Sequence, residues 1–166
     1  MKPIYLLIGC LCLCAFAILP AQAFTIKTLT ITLGQNGDAQ VGLQYQLSLP
    51  EQIGVFFHLA NPSAELQSAL DQNLNRQVTV ERADSSSADI TIPSFATVSG
   101  GPGTLIMTTP AFSLAHAQAV MEQYWFAPLL SPDFTPQVTT ITFPDGYSDT
   151  LYSQISIPSV MHVLAS

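Results

Sequence analysis

Between Thr25 and Leu49 apolar residues recur at every second position, and this alternation restricts the segment to half-buried strands with one dry face and one wet face. Leu29, Ile31 and Leu33 alternate with Thr28, Thr30 and Thr32. Beyond a turn, Val41, Leu43, Tyr45, Leu47 and Leu49 alternate with Gln44, Gln46 and Ser48. Asn36-Gly37 between the runs is a hairpin signal. A two-residue Asn36-Gly37 loop would pair odd positions with even ones and split the apolar face. A three-residue loop, Gln35-Asn36-Gly37, pairs Ile31 with Val41 and Leu29 with Leu43, and places Gly37 at the left-handed bulge position. The parity therefore predicts the three-residue loop.

Helical signals follow. Pro50-Glu51 opens an element in which Ile53, Phe56, Phe57 and Ala60 share a helical face. Val55-Phe56-Phe57 also suits a strand. Asn61-Pro62 restarts the chain as cap and first helical residue, with Leu66, Ala69, Leu70 and Leu74 on one face as far as Asn75. Gln77–Ala83 alternates again, Asp84-Ser85-Ser86-Ser87 is a solvated turn, and Ile90 and Ile92 mark the returning strand, ended or placed at an edge by Pro93. Ser99-Gly100-Gly101-Pro102-Gly103 reads as a mobile connection before a short strand, Thr104–Thr108. Ser113 caps a helix from Leu114 to about Phe126. Pro128, Pro132 and Pro136 space a linker. Val138–Phe143 and Leu151–Ile157 form an antiparallel pair around Pro144-Asp145-Gly146. The final residues show no clear period.

The resulting order is ββ-αα-βββ-α-ββ. It implies an α+β domain: an antiparallel sheet, as one sheet or two small ones, with about three helices on one face.

The N-terminal segment bears on location. Lys2 is its only charge, an apolar run follows from Ile4 to Leu19, and Pro20-Ala21-Gln22-Ala23 ends it. This is the pattern of a secretory signal at residues 1–23, cut after Ala23 to leave one domain, 24–166. Two other readings stand beside it. The run could remain as an anchor, although at about 16 residues it falls short of the roughly 20 that span a bilayer. Alternatively, Leu7-Ile8-Gly9-Cys10 could be a lipoprotein box, with Cys10 lipidated. All three cysteines (Cys10, Cys12, Cys14) lie in this segment, so residues 24–166 are cysteine-free. The expected location is extracytoplasmic, in the periplasm, at the cell surface or secreted. Membrane contact would come only through an uncleaved or lipidated N-terminus.

Charge narrows the partners. The chain has 11 acidic and 4 basic residues, a net charge of −7, which leaves no electrostatic footprint for nucleic acid.

The candidate chemistry is sparse. The glycine-rich stretch lacks the cation and the following helix that a phosphate cradle needs. His58, His116 and His162 form no local ligand pair, so neither a metal nor another cofactor is assigned. Asp133, Asp145 and Asp149, with His116 or His162, are the candidates for acid–base hydrolysis, set against the plain reading of Pro144-Asp145-Gly146 as a turn. Tyr124-Trp125-Phe126 are adjacent aromatics about 100° apart on a helix, so they cannot all face one core. Trp125 either packs beneath the proline linker or anchors a partner. The functional expectation is an exported, non-catalytic binding or cell-envelope module with an unidentified protein or envelope partner. The alternatives are a small extracytoplasmic hydrolase working through carboxylates, and a subunit of a surface assembly, which would show an unpaired edge strand.

Overall fold

The computed structural model describes residues 24–47, 62–73, 78–101, 103–122 and 133–164. The opening alternation forms β1 (Thr25–Leu33) and β2 (Ala39–Gln46), paired as the parity argument requires, with Ile31 opposite Val41 and Leu29 opposite Leu43. The loop is the three-residue one. The Gly34 N–H donates to the Asp38 carbonyl at 2.8 Å and the Gly37 N–H to the Gly34 carbonyl at 3.0 Å. Gly37 has φ +86°, and a Cβ there would collide with the Ala96 carbonyl oxygen, so both backbone angle and space demand glycine.

Two further strands, β3 (Thr79–Ala83) and β4 (Ser87–Ile92), and the hairpin of β8 (Val138–Thr142) and β9 (Ser148–Tyr152) extend this pair. Together they build a six-stranded sheet in the order β3-β4-β2-β1-β8-β9. β4 stops at Ile92, immediately before Pro93, as expected. Its pairings are antiparallel except β1 with β8, which run parallel with Ile31 beside Ile141. An all-antiparallel sheet is therefore corrected to a mixed one.

The fold class is corrected too. The described chain is mostly strand with two short helices, not an α+β domain with three helices on one face. The apolar side of the large sheet is covered chiefly by more sheet. β5 (Thr97–Gly101), β6 (Thr104–Thr108) and β11 (Met161–Leu164) form a three-stranded sheet, and β7 (Phe112–Ser113) pairs with β10 (Ser156–Ile157). One core joins Leu29, Ile31, Leu33, Ile141 and Phe143 of the large layer to Met107 and Ile157 of the small ones. Fully burying a side chain of this size contributes about 1.5–3 kcal/mol, so Met107 and Ile157 tie the small strands to the large sheet.

Within the glycine-rich stretch, Ser99, Gly100 and Gly101 belong to β5 and Gly103 lies in the turn before β6, so these described residues form a hairpin and not a mobile connection. Gly100 has φ +144°, and a Cβ on it would strike the Thr104 carbonyl oxygen, so glycine lets two strands approach closely at a tight hairpin. The expected strand Leu151–Ile157 begins earlier, at Ser148, and is broken at Ser153 (φ +51°) into β9 and β10.

Helix α1 (Pro62–Asn73) starts at the expected proline and packs Leu66 and Leu70 against the core. It also covers the outer edge of β3. The Ala83 N–H donates to Ser63 Oγ at 2.9 Å and the Val80 N–H to Gln67 Oε1 at 2.7 Å, while Gln67 Nε2 donates to the Val78 carbonyl at 2.9 Å. Ser63 and Gln67 are one helical turn apart, so one face of α1 satisfies the edge that β3 would otherwise present to water. Helix α2 (Ala115–Met121) is shorter than expected, with Ser113 Oγ accepting from the Ala115 N–H at 3.2 Å at its start. The helix expected over 53–60, the signal segment and the aromatic trio Tyr124-Trp125-Phe126 lie outside the described residues.

Candidate functional site

Two of the candidate residues meet. β8 and β9 turn through Pro144-Asp145-Gly146, and Gly146 takes the same left-handed position as Gly37 in the first hairpin. Asp145 Oδ1 accepts the Tyr147 N–H at 3.1 Å, which holds the turn. Its other oxygen, Oδ2, lies 2.7 Å from His162 Nε2. His162 sits on β11 opposite Met107, so this contact links the two layers of the fold. Tyr147 stacks on the imidazole at 4.1 Å between centroids and 10° between planes, and Phe143 packs at 5.0 Å. The two side chains are only 20% (His162) and 18% (Asp145) exposed.

This arrangement suits a strut better than a catalytic dyad. One ring nitrogen faces Asp145 and the ring is flanked by two aromatics. Among the described residues no hydroxyl and no second carboxylate hydrogen-bonds His162, and no group of three metal-ligating side chains is found. The remaining candidates stay apart. Asp149 faces the same side of β9 as Tyr147, opposite Ile141. Asp133 bridges to Thr25 at the far end of the sheet, where its Oδ1 accepts the Thr135 N–H at 2.9 Å. His116 is exposed on α2.

A second polar cluster closes the β3–β4 turn. Asp84 Oδ1 accepts the backbone N–H groups of Ser86 (2.9 Å) and Ser87 (2.8 Å), and Oδ2 pairs with Arg82. The Ser86 N–H foremost, with Ser87 and Arg82 adding to it against a partial loss of hydration, holds this carboxyl well below the usual carboxylate range. The Tyr45 hydroxyl donates to the carbonyls of Asp84 and Ser87, and burial first, then the Asp84 charge, pushes the phenol up to about 12. Each group is occupied in holding the turn.

The outer face of the six-stranded sheet is different in kind. Residues opposite one another in a sheet share a face. Cross-strand register therefore aligns Thr79, Thr91, Gln40, Thr32, Thr142 and Ser148 in one row from edge to edge. At a strand spacing of about 4.8 Å the row is about 24 Å long. The adjacent row runs Arg82, Asp89, Gly42, Thr30, Thr140 and Thr150. Tyr152, 66% exposed, stands beside Val138 in the next row. Across the central strands β2, β1 and β8 these rows carry no charge.

Gly42 interrupts this lawn of side chains at its centre. A Cβ there would meet Asp89 Oδ1 at 3.6 Å and Thr30 Cβ at 4.0 Å, both ordinary contacts, so packing does not require glycine. Its absence of a side chain leaves a notch with backbone as floor. Asp89 and Thr30 stand on either side, and Gln40 and Gln44 lie before and after it on the same face; all four are exposed. Glycine inside a strand marks a place where a ligand or another backbone can come close. The sequence carried that signal, a glycine within the alternating run Val41–Leu49, and the alternation alone does not draw attention to it.

No family model, curated protein or solved structure matches the chain at a significant level, so the site is read from its own geometry.

Proposed function

We propose that this chain is an exported, non-catalytic binding module, and that its ligand is a neutral, hydroxyl-rich polymer of the uncharged polysaccharide class. The observation that carries this reading is the Gly42 notch, bordered by Asp89, Thr30, Gln40 and Gln44 on a face otherwise made of hydroxyls and amides. Sugar hydroxyls both donate and accept. Asp89 supplies an acceptor, the two glutamines supply donors and acceptors, and the threonines supply either. Tyr152 adds an exposed aromatic surface for the apolar side of a sugar ring.

Charge argues for the neutral class. A chain with 11 acidic and 4 basic residues repels anionic polymers, and the central strands offer no array of carboxylates for a cationic one. The hydrolase alternative is weakened because His162 is flanked by two aromatics and Asp145 and His162 are linked to each other. Action outside the cell accords with the signal pattern at residues 1–23, where such polymers are abundant in envelopes.

Affinity electrophoresis through gels containing dextran, mannan, galactan, alginate or hyaluronan tests the proposal. Retardation by at least one neutral polymer and by neither acidic one is expected. Free migration through every neutral gel overturns it.

A further inference from the structure

The two edges of the six-stranded sheet are treated differently. β3 is covered by Ser63 and Gln67 of α1, whereas among the described residues no strand lies beyond β9. The hydrogen-bonded pairs of the β8–β9 hairpin fix which backbone groups of β9 face outward. Phe143 N–H donates to the Tyr147 carbonyl, and Ser153 N–H to the Gln137 carbonyl. Alternation between these ends directs Asp149 and Leu151 toward β8, and turns the N–H and C=O groups of Ser148, Thr150 and Tyr152 away from it. Those outward groups have no partner among the described residues, and all three residues are exposed.

We propose that β9 is an interaction edge whose partner is β9 of a second copy of this chain, paired antiparallel about a two-fold axis at Thr150. This goes beyond the binding reading and does not depend on it. Three antiparallel registers match outward groups with outward groups. Centring on Asp149 sets two carboxylates directly opposite each other, which is unfavourable. Centring on Leu151 leaves Ser148 without a partner in the strand. Centring on Thr150 pairs Ser148 with Tyr152 of the second copy and Thr150 with its own equivalent, and places Asp149 opposite Leu151. The only charge in the strand thus excludes a wrong register and tolerates the right one. β9 carries neither lysine nor proline, the residues that commonly blunt an edge. The paired sheets would continue the threonine face from one copy into the next. A contact of one strand pair is small, so association is expected to depend on concentration.

Sedimentation velocity of the full chain, over a wide concentration range, tests the proposal. The weight-average mass should rise toward that of a dimer. Thr150→Pro removes an N–H that points away from β8, so the fold should keep its melting temperature and circular dichroism while the mass stays monomeric at every concentration. A second readout does not depend on that variant folding. In a chain whose Cys10, Cys12 and Cys14 are replaced by serine, Thr150→Cys should cross-link into dimers under oxidation, whereas Thr140→Cys, on the same face but within the sheet, should not. A wild-type chain that stays monomeric throughout, or equal cross-linking by both cysteine variants, overturns the proposal.

Discussion

Asp145 Oδ2 lies 2.7 Å from His162 Nε2, and this contact, with the packing of Tyr147 and Phe143 on the imidazole, fastens the tip of the β8–β9 hairpin to β11 of the smaller sheet. The same carboxylate holds its own turn through Oδ1. Asn36 plays the corresponding part in the first hairpin, its Oδ1 accepting the Asp38 N–H at 3.2 Å. Asparagine can therefore replace Asp145 in the turn while removing the charge that faces His162. Asp145→Asn should cost about 0.5–1.5 kcal/mol, and Asp145→Ala more, because it loses both roles. His162→Ala should cost about 1–3 kcal/mol, since packing against Phe143 and Tyr147 is lost with the hydrogen bond. Urea unfolding of the three variants gives the order; a loss for Asp145→Asn equal to that for Asp145→Ala would show that the contact with His162, and not the turn, is the whole contribution.

The Tyr45–Asp84 cluster sets two limits on pH. Burial and the Asp84 charge push the Tyr45 phenol up from 10.0 to about 12, so its stabilising contribution is complete below pH 10 and fades as pH rises toward 12. Asp84 is shifted the other way, so its contribution is present above its ordinary value of 3.8 and is lost as pH falls below it. Denaturant midpoints measured against pH should fall on both sides. Tyr45→Phe should flatten the alkaline limb and leave the acid limb in place, whereas Asp84→Asn should flatten the acid limb and also weaken the alkaline one, because the Asp84 charge is part of what raises the phenol.

Ser63 and Gln67 cover the edge of β3. Gln67→Ala leaves the Val80 N–H without this acceptor and the Val78 carbonyl without this donor, and should cost about 1–3 kcal/mol. Adding Ser63→Ala should open the whole edge and raise light scattering at high concentration. A soluble double variant with wild-type stability would mean that α1 is not what protects this edge.

Gly37 and Gly42 lie on the same hairpin and should respond in opposite ways. Gly37→Ala meets both a left-handed backbone and the Ala96 carbonyl, and should lower the melting temperature sharply. The Cβ that Gly42→Val adds finds only ordinary contacts on an exposed sheet face, and valine gains strand propensity, so stability should hold or rise.

What the sequence revealed follows the range of the forces involved. The β1–β2 register was legible because parity is a local property: shifting Leu29, Ile31 and Leu33 by one residue would turn the dry face to water. The turn at Pro144-Asp145-Gly146 and the helix start at Pro62 were legible for the same reason. Of the covering layer, β6 was legible as the expected strand Thr104–Thr108, and the rest was not. β7 and β10 have two residues each and β11 four, too short to show a period, and they are strands because of what they pair with. Gly100 suggested mobility where close strand approach uses it. Asp145 and His162 were both candidates, but 17 residues separate them, and only the packing of β11 over the hairpin makes them neighbours. Gly42 was visible throughout, yet its meaning depends on β4 placing Asp89 beside it.

The central claim is that the Gly42 notch is the ligand site. Its most direct test is the affinity-gel mobility of Gly42→Val beside wild type, in the neutral polysaccharide that retards wild type most, with both melting temperatures recorded. The account predicts that the variant migrates freely while its melting temperature is unchanged or higher. A variant of unchanged stability that is retarded as strongly as wild type would contradict it.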